Sequence, residues 1–400
     1  MPLTPKPTEL DRAESPRSLR ARAIVLSLAG VLLALAVLEV PALLKLVDYR
    51  ETGWLSMNRF DPELLFIHRP YATTNGTAKG GSIAALYRIP ASDLSTYHWK
   101  VRYDGNGFRN ASDHRSADIA VNGGSYVEGT SIDRTQLMTS LLAQRENAVV
   151  ANFGQNAYAP QQELIVLRRF VLPLKPKTVL WIFTDFNDIR QLPVFARETR
   201  YSSGVRSLIQ SSFTANALKQ LASVCYGTVS SLGRILYPED PRPALNRSGI
   251  LPNTRTGPLK MYFLHPSLPL EPDQIQALDD SIHIIGDANQ LCAAQGARLV
   301  VVFIPDQFRV FHSFVQTPPG SELNHWTVND TPARLEQGLH EASPEIGFLD
   351  LTPLMVSAVK AGVVPYFTDD NHWNPDGQRL AAEAIDSYLT RSEQPSPPKR

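Results

Sequence analysis

The stretch that decides the fold is residues 117–129, which read ADIAVNGGSYVEG. Its first six residues suit a buried strand, and the two glycines after them allow a sharp turn into a helix. Similar apolar runs recur along the chain with amphipathic helical segments between them, a pattern that predicts a parallel sheet covered by helices. The predicted strands are 117–122, 148–153, 178–184, 298–304 and 346–350, and the predicted helices include 135–145, 161–174, 272–295 and 375–388.

The turns that follow the predicted strands carry polar residues. In an open parallel sheet, ligands bind beyond the carboxyl ends of the strands. Here those ends lead into Gly123–Tyr126, Gly154–Ala157, Asp185–Asp188 and Thr368–Trp373. Together the turns offer a hydroxyl, backbone N–H groups, a carboxamide and a carboxylate beside an imidazole. Acyl transfer from an ester needs this set: a nucleophile, a base, a carboxylate that orients the base, and donors for the oxyanion.

Ser125 and His372 are the central candidates within these turns. A serine after two glycines is also typical of a simple turn or a helix cap, and His372 is one of nine histidines, so each residue alone indicates little. Their combination at strand ends favours catalysis. An α/β-hydrolase would need the motif GxSxG, but Val127 occupies the position of its last glycine.

Asp369 and His372, three residues apart on one turn, indicate another arrangement. In this feature the chain resembles the SGNH (GDSL-like) hydrolase superfamily, which carries Ser, Gly, Asn and Asp-x-x-His in four blocks. The matching segments are Gly123-Gly124-Ser125, residues 152–160, Phe186-Asn187-Asp188 and Asp369-Asp370-Asn371-His372, within a resemblance that spans residues 61–389. The resemblance implies an α/β fold with three layers, α/β/α, and a flavodoxin-like sheet of about five parallel strands.

The resemblance also implies roles for single residues. Ser125 would be the nucleophile, His372 the base and Asp369 the carboxylate that orients the base. Asp370 is the rival for this last role, because residues 370–373, DNHW, are similar to the Asp-x-His-Trp turn of exopolysaccharide O-acetylation proteins such as those acting on alginate.

Donors for the oxyanion are implied in the same way. They would be the Ser125 N–H, the Asn187 side chain and a backbone N–H of the second block, from Ala157 or from its rival Gly154. Such donors stabilise the negative charge that develops on the carbonyl oxygen in the transition state.

Three residues depart from the family pattern. Gly124 replaces the Asp of GDS, Ala157 replaces the second-block glycine, and Asp185 replaces the glycine of GxND. A backbone N–H donor survives the change from glycine to Ala157 if its φ is negative. Two aromatic residues that flank the site, Tyr126 and Trp373, are candidates either for stacking on a sugar ring or for simple packing.

A long apolar segment precedes the predicted domain. Residues 23–44 read AIVLSLAGVLLALAVLEVPALL, with Glu39 as the one charge. As a helix this segment spans roughly 33 Å, against a hydrocarbon core of about 30 Å. Three arginines lie directly before it, so the positive-inside rule keeps residues 1–22 in the cytoplasm as a tail and exports the rest of the chain. A cleaved signal peptide and a buried core helix are the alternatives.

The exported part is predicted to have a lead-in, a catalytic domain and a tail. Residues 45–116 are rich in Pro, Gly, Tyr and Asn, and the run YHWKVRY at 97–103 predicts an edge strand or hairpin. The catalytic domain is predicted over 117–390, with an insertion at 191–270 that either caps the site or only elaborates the surface. Residues 391–400 have the composition of a disordered tail.

The overall composition excludes several classes of protein. The chain has 39 basic and 39 acidic residues, so it lacks the broad positive field that draws a protein onto nucleic acid. Its hydrophobic content of 43% does not fit a disordered or collagenous chain. Cys225 and Cys292 form no CxxC motif, and a single disulfide between them stays open. No nucleotide, dinucleotide or metal motif occurs, so no cofactor is expected.

These features predict a single-pass protein of the bacterial inner membrane whose catalytic domain is periplasmic or extracellular. We expect a serine esterase or O-acyltransferase that acts on acyl, above all acetyl, esters of an envelope glycan or lipid. Its expected partners are the bilayer, through residues 23–44, the ester or glycan substrate, and an envelope polysaccharide-modification complex. The alternative is a catalytically inactive protein of the same fold that binds glycan or acts as a scaffold.

Overall fold

The protein is described from a computed structural model. The described residues are 16–47, 49, 57–87, 89–201, 211–218, 221, 222, 225, 242–264 and 268–393. The chain divides into two compact units, Met1–Ser56 with Tyr201–Ser231, and Met57–Arg200 with Leu232–Arg400. The second unit contains every strand given below.

Strands and helices alternate along most of the second unit. The strands are β1 (Asn58–Asp61), β2 (Leu65–His68), β3 (Thr73–Lys79), β4 (Thr96–Arg102), β5 (Ile119–Gly123), β6 (Val150–Gly154), β7 (Thr178–Thr184), β8 (Ser248–Leu251), β9 (Leu259–Tyr262), β10 (Arg298–Ile304) and β11 (Gly347–Asp350). The α-helices of the described residues, apart from residues 211–225, are α1 (Pro16–Leu43), α2 (Ser82–Leu86), α3 (Ser125–Glu128), α4 (Met138–Glu146), α5 (Pro160–Val166), α6 (Asn187–Tyr201), α7 (Arg242–Leu245), α8 (Pro272–Ala293), α9 (Gln307–Phe311), α10 (Thr331–Ala342), α11 (Thr352–Lys360) and α12 (Pro375–Glu393).

The first unit begins with α1, an apolar helix. Over Arg20–Leu43 this helix has the length and composition of a membrane span, which a signal sequence shares. Most of its large side chains, among them Ile24, Leu26 and Leu33, are more than half exposed. Because exposed apolar surface is unfavourable in water, the alternative of a buried core helix does not fit this segment.

The lead-in contributes to the core of the second unit. Strands β1 and β2 pair antiparallel, as do β3 and β4, and β4 coincides with the strand predicted at 97–103. Leu64, Ile67 and Phe108 from the lead-in are fully buried in the same core as strands of the central sheet. The compact unit therefore starts at Met57, well before the predicted domain start at 117.

The five predicted strands form one sheet, in which all neighbouring strands are parallel. Its order is β11-β10-β7-β5-β6, and each strand begins and ends within two residues of its predicted bounds. Numbered along the chain, this is the order 2-1-3-4-5 of flavodoxin-like sheets. The order reverses between β5 and β7, so the carboxyl ends of these two strands flank the switch point where such sheets bind ligands.

Helices cover both faces of the sheet. On one face, Val121, Leu180 and Val302 pack in a core with α4, α11 and α12. On the other face, Trp181 and Phe303 pack in a core with α5, α8 and α10. Successive residues of a strand point to opposite faces, so a continuous apolar run serves both cores. The predicted three-layer α/β/α fold is confirmed.

The described residues of the interval 191–270 are divided between the two units. Helix α6 continues into it as far as Tyr201, and Tyr201–Ser231 belongs to the first unit. Strands β8 and β9 form an antiparallel hairpin in the second unit, and Met261 and Phe263 on and beside it are buried in the core. The hairpin is therefore part of the main domain.

The C-terminal helix is longer than expected. Helix α12 runs to Glu393 and so includes the first residues of the predicted tail at 391–400. Residues 394–400 of that tail lie outside the described residues.

Candidate active site

Ser125 lies at the switch point, on the turn that follows β5. The strand ends at Gly123, and α3 begins at Ser125 directly after Gly124. A Cβ atom at Gly123 would lie 2.9 Å from side-chain atoms of Ile182 and Val127, so the close packing of β7 requires glycine there. A Cβ atom at Gly124 would meet nothing within 4 Å, so sterics do not explain why the family's Asp is missing at this position.

The imidazole of His372 connects Ser125 to a carboxylate. His372 Nε2 lies 2.8 Å from Ser125 Oγ, and His372 Nδ1 lies 2.6 Å from Asp370 Oδ1. When Nδ1 carries the proton and donates to Asp370, Nε2 is left to accept the hydroxyl proton of Ser125. The three side chains are thus arranged for proton transfer from the serine to the histidine.

The carboxylate beside His372 is that of Asp370, whereas Asp369 was the expected partner. Asp369 is fully buried, and its carboxylate accepts the Tyr97 hydroxyl and the Ser95 N–H instead. Asp370 Oδ1 also accepts the His372 backbone N–H at 2.9 Å, a local turn that folds the histidine back over this side chain. The preference for Asp369 is therefore corrected in favour of its rival.

Asp370 is held in place by Ser82, at the start of α2. The Ser82 backbone N–H donates to Asp370 Oδ2 at 2.9 Å, and the Ser82 hydroxyl lies 2.9 Å from Asp370 Oδ1. Burial by itself raises the pKa of the Asp370 carboxyl, but the charge and hydrogen bonds of His372, with the Ser82 bond, hold it well below its usual range. Ser82 belongs to no motif, so no signal in the sequence indicates this contact.

The two expected donors of the second block differ in conformation and use. Gly154 donates its N–H to Asn152 Oδ1 at 2.9 Å, and a Cβ atom there would lie 2.2 Å from the Glu128 nitrogen. Gly154 is thus needed for packing against α3, and its N–H is engaged. Ala157 has φ of 63°, the left-handed conformation that favours glycine, so the condition of a negative φ is not met and the alanine is strained at this position. Ala157 remains the candidate donor of this block.

Asn187 and Ser125 line two different cavities. Asn187 opens α6 after β7 and lines a small cavity with Asn371. Ser125 and His372 line the other cavity, and Tyr126 belongs to the walls of both. The structure thus brings Ser125, His372 and Asp370 into direct contact and places Asn187 next to them across Tyr126.

Tyr126 and Trp373 do not present open faces to a ligand. Their exposed fractions are 4% and 1%, and the two rings pack edge to face at 5.2 Å. The Tyr126 hydroxyl donates to the Asn371 carbonyl, and its ring also contacts the His372 imidazole. Of the two expectations for these aromatic residues, packing is correct and stacking on a sugar is not.

A buried carboxylate connects the helix that begins at Ser125 to the second block. Glu128, one helical turn after Ser125, accepts the Asn156 N–H at 2.6 Å. It also accepts the Tyr103 hydroxyl at 2.6 Å and lies 2.9 Å from His68 Nε2. Burial alone raises the pKa of Glu128, but attraction to His68 and these hydrogen bonds outweigh burial and lower the pKa. His68 and Tyr103 come from the lead-in, where no motif indicated a role.

The replacement of a family glycine by Asp185 is balanced by Arg309. Arg309 donates to the Asp185 carboxylate from Nε at 2.6 Å and from Nη2 at 3.1 Å, and both side chains are about 4% exposed. Paired charge-assisted hydrogen bonds of this kind offset the cost of burying a carboxylate. Asp306 lies beside this pair, and burial together with the charge of Asp185 raises the pKa of its carboxyl group to about 7. Asp306 therefore stays protonated to a higher pH than an exposed carboxyl group.

The site has the parts for acyl transfer and little free volume. The cavity at Ser125 and His372 measures about 50 Å³, small beside the roughly 300–1,000 Å³ of pockets for drug-sized ligands. Within the described part of the chain, no cluster of three or more His, Cys, Asp or Glu residues is placed to hold a metal ion. Cys225 and Cys292 are both free thiols, so the disulfide that the sequence allows does not form.

Comparison with known proteins gives a partial match. Residues 262–399 match the family model of an SGNH hydrolase-like domain, acetyltransferase AlgX. No curated protein matches the chain.

Several solved structures are similar at low identity. One is a GDSL-like lipase from Bacteroides thetaiotaomicron, with 11% identity, 68% of this chain and 88% of that chain covered, and a TM-score of 0.33. Another is the acetyl xylan esterase AlAXEase, with 10% identity, coverage of 68% and 98%, and a TM-score of 0.34. A third is a variant of the acetylxylan esterase Axe2 from Geobacillus stearothermophilus, with 9% identity, coverage of 68% and 94%, and a TM-score of 0.35.

The matched part of the chain contains Asp370 and His372, whereas Ser125 lies before it and is joined to them by the fold. The sheet order and the strand-end position of Ser125 agree with the resemblance seen in the sequence. Residues 262–399 are thus similar to an SGNH hydrolase-like domain of the acetyltransferase AlgX type, in a chain whose central sheet has the flavodoxin-like order.

Proposed function

We propose that this protein is a membrane-anchored serine esterase or O-acyltransferase that acts on acetyl esters of an envelope glycan. The observation that carries the proposal is the chain of contacts Ser125–His372–Asp370, with distances of 2.8 Å and 2.6 Å. A hydroxyl, an imidazole and a buried carboxylate in this order form the arrangement that activates a serine for attack on an ester.

In the proposed reaction, Ser125 Oγ attacks the carbonyl carbon of the ester, and its proton passes to His372 Nε2. Asp370 stabilises the imidazolium ion that forms. The tetrahedral intermediate collapses when the bond to the sugar oxygen breaks, and His372 returns the proton to that oxygen. Water or a second sugar hydroxyl then attacks the acyl-serine, with His372 again as the base, and this step separates hydrolysis from transfer.

The negatively charged oxygen of the tetrahedral intermediate needs hydrogen-bond donors. We assign them to the Ser125 N–H, which opens α3, and to the N–H of Ala157, which is exposed at the second block. Asn187 is the third donor, its carboxamide reaching the oxyanion past Tyr126 when the substrate binds. Donors of this kind contribute a factor of about 10²–10³ each to the rate.

The size of the site supports a small acyl group. A cavity of about 50 Å³ beside Ser125 and His372 is of the size of an acetyl group. The similarity of residues 262–399 to an acetyltransferase model supports acetyl in the same way, and the membrane helix supports a substrate of the cell envelope. A polysaccharide-modification complex is the partner we propose for the anchored enzyme.

The test of the activity is Ser125→Ala. The full chain should hydrolyse p-nitrophenyl acetate and be labelled by a fluorophosphonate, and Ser125→Ala should abolish both. Ser131→Ala changes another serine of the same cavity and is the matched control, which should keep both. A folded wild-type protein that neither turns over acyl esters nor takes the label would favour the catalytically inactive glycan-binding protein instead.

The test of the topology uses α1. We propose that residues 1–22 stay in the cytoplasm and that the domain faces the periplasm, because the arginines precede the apolar segment. Alkaline phosphatase fused after Arg50 should be active, since it needs the oxidising side of the membrane. An inactive phosphatase together with an active cytoplasmic reporter at the same point would overturn this orientation.

A further inference from the structure

Glu39, the one charge in the apolar part of α1, caps a second helical segment. Its Oε2 accepts the Phe213 N–H at 3.2 Å, and its Oε1 accepts the Thr214 N–H at 2.6 Å. Residues 213–218 are helical, so the carboxylate satisfies N–H groups at the start of a helix and meets its positive end. The carboxylate thereby joins α1 to the segment at residue 213.

A second contact joins the same two parts of the first unit. The Tyr49 N–H donates to the Ser211 carbonyl at 3.1 Å, and the rings of Tyr49 and Phe213 pack edge to face at 5.3 Å. Tyr49 follows α1, which ends at Leu43. The helical residues after Ser211 therefore begin beside the C-terminal end of the proposed membrane span.

The exposed face of this segment has the chemistry of a lipid-binding surface. Leu218 and Leu221 are each 60% exposed, Cys225 is exposed as well, and the intervals of three and four residues between them are those that recur on one face of an α-helix. Residues 211–225 include no Asp or Glu, so no acidic side chain of this stretch opposes contact with a lipid surface. Helices that lie in a membrane interface bury an apolar face of this kind between the headgroups and the acyl chains.

We propose that residues 211–218, together with Leu221 and Cys225, form a second membrane contact, lying on the outer surface of the bilayer that α1 spans. Leu218 and Leu221 enter the boundary between headgroups and acyl chains. The inference rests on the membrane anchoring proposed above. It gives part of the interval 191–270 a role at the bilayer in place of a cap over the site.

The experiment uses the native cysteine as a depth probe. The full chain is reconstituted in vesicles of phosphatidylcholine and phosphatidylglycerol, and Cys225 is labelled with a fluorescent thiol reagent. Cys292 does not compete, since it is buried and burial raises its pKa to about 12, and Cys225→Ser checks that no label enters elsewhere. Nitroxide lipids that quench near the headgroups should quench the Cys225 label more than those that quench at the bilayer centre. A Leu33→Cys probe in the Cys225→Ser background should show the opposite order.

Charge substitutions make the test specific. The double change Leu218→Glu and Leu221→Glu should remove most of the shallow quenching, whereas Leu86→Glu, at a leucine of the second unit that is 67% exposed, should not. Quenching of the Leu33 probe at the bilayer centre with no quenching of the Cys225 label would overturn this inference and leave the anchoring intact. If neither probe is quenched, the anchoring itself is wrong and this inference falls with it.

Discussion

Asp369 and Asp370, two adjacent carboxylates on the turn before His372, have different hydrogen-bond partners. At the scale of single residues, this difference determines which carboxylate contacts the histidine. Asp369 accepts donors from the lead-in, namely the Tyr97 hydroxyl and the Ser95 N–H. Asp370 accepts both the ring and the backbone N–H of His372. Only the second carboxylate can fix the tautomer of the histidine and stabilise its positive charge.

We therefore predict that Asp370→Asn lowers kcat/KM for p-nitrophenyl acetate by about 10³–10⁴-fold, because the asparagine amide favours the wrong tautomer of His372. Asp369→Asn should lower kcat/KM far less and act mainly on stability, through its bond with Tyr97. Steady-state kinetics and urea denaturation of both variants check this. Equal losses of activity in the two variants, at equal stability, would contradict the assignment.

Ala157 carries backbone strain at the second block. Its φ of 63° costs a residue with a Cβ atom about 1 kcal/mol or more, which glycine avoids. Ala157→Gly should therefore raise the free energy of unfolding by about 0.5–1 kcal/mol, after the extra entropy of glycine in the unfolded chain is subtracted. Ala159→Gly, at a neighbouring alanine with φ of −99°, is the control and should lower the free energy of unfolding. Denaturant midpoints measure both, and destabilisation by Ala157→Gly would contradict the reasoning.

At the scale of elements, the start of α2 supports the loop that carries the histidine. The Gly81 N–H donates to Asp369, and the Ser82 N–H donates to Asp370. A Cβ atom at Gly81 would lie 2.4 Å from the Cβ of Asp370, so the two elements are in close contact. The lead-in thus supports the loop of His372, the base of the proposed reaction, although it lies outside the central sheet.

We predict that Ser82→Ala lowers kcat by about tenfold to a hundredfold with little change in KM, because Asp370 loses the hydroxyl contact and the imidazole shifts. Ser92→Ala, which removes an exposed hydroxyl of the same lead-in, is the matched control and should leave kcat unchanged. Ser82→Thr, which retains a hydroxyl, should recover part of the activity. A change in KM alone would show that Ser82 does not position the catalytic groups.

At the scale of the whole molecule, several buried carboxyl groups gather below the switch point. Burial, with the charge of Asp185, raises the pKa of Asp306 to about 7. Burial also raises the pKa of Asp188 to about 7, and it raises the pKa of Glu163, which faces the charge of Asp188. These groups are preferentially protonated in the folded protein, so they link its stability to pH in the neutral range.

The sign of this pH dependence follows from the direction of the shifts. Asp306 has an ordinary pKa near 3.8 when unfolded and a raised one when folded, so the folded state binds the proton more tightly. Its contribution to stability is complete below about pH 4 and is lost as the pH rises to about 7. Asp370, whose pKa is lowered, has the opposite sign, and its contribution is lost as the pH falls below about 4.

We predict that the Asp306→Asn variant loses less stability than wild type between about pH 4 and pH 7. At pH 8 the variant should be more stable than wild type. Each unit of pKa shift is worth about 1.4 kcal/mol, so the difference at pH 8 should reach a few kcal/mol. Asp279→Asn, at an exposed carboxyl of α8, is the control. Unfolding free energies from denaturant titrations at several pH values provide the measurement, and parallel curves for wild type and Asp306→Asn would contradict it.

The sequence alone determined the central sheet, because each of its strands is a continuous apolar run that can be recognised locally. Such strands must be covered on both faces of the sheet. The sequence also determined Ser125 and His372, because strand ends in a parallel sheet meet at one edge. It did not determine which of Asp369 and Asp370 serves the histidine, nor the contributions of Ser82, His68 and Arg309. Those depend on contacts between residues far apart in the chain.

Only the tertiary structure decided the partners of these side chains, because it determines which residues pack together and where their polar groups point. Asp369 and Asp370 are equivalent in the sequence, and only the position of the lead-in beside their turn separates them. The same holds for the Asp185–Arg309 pair, whose members are 124 residues apart. Short-range patterns encode strands and turns, whereas the partner of a buried charge is set by which distant side chain the fold brings within hydrogen-bond reach.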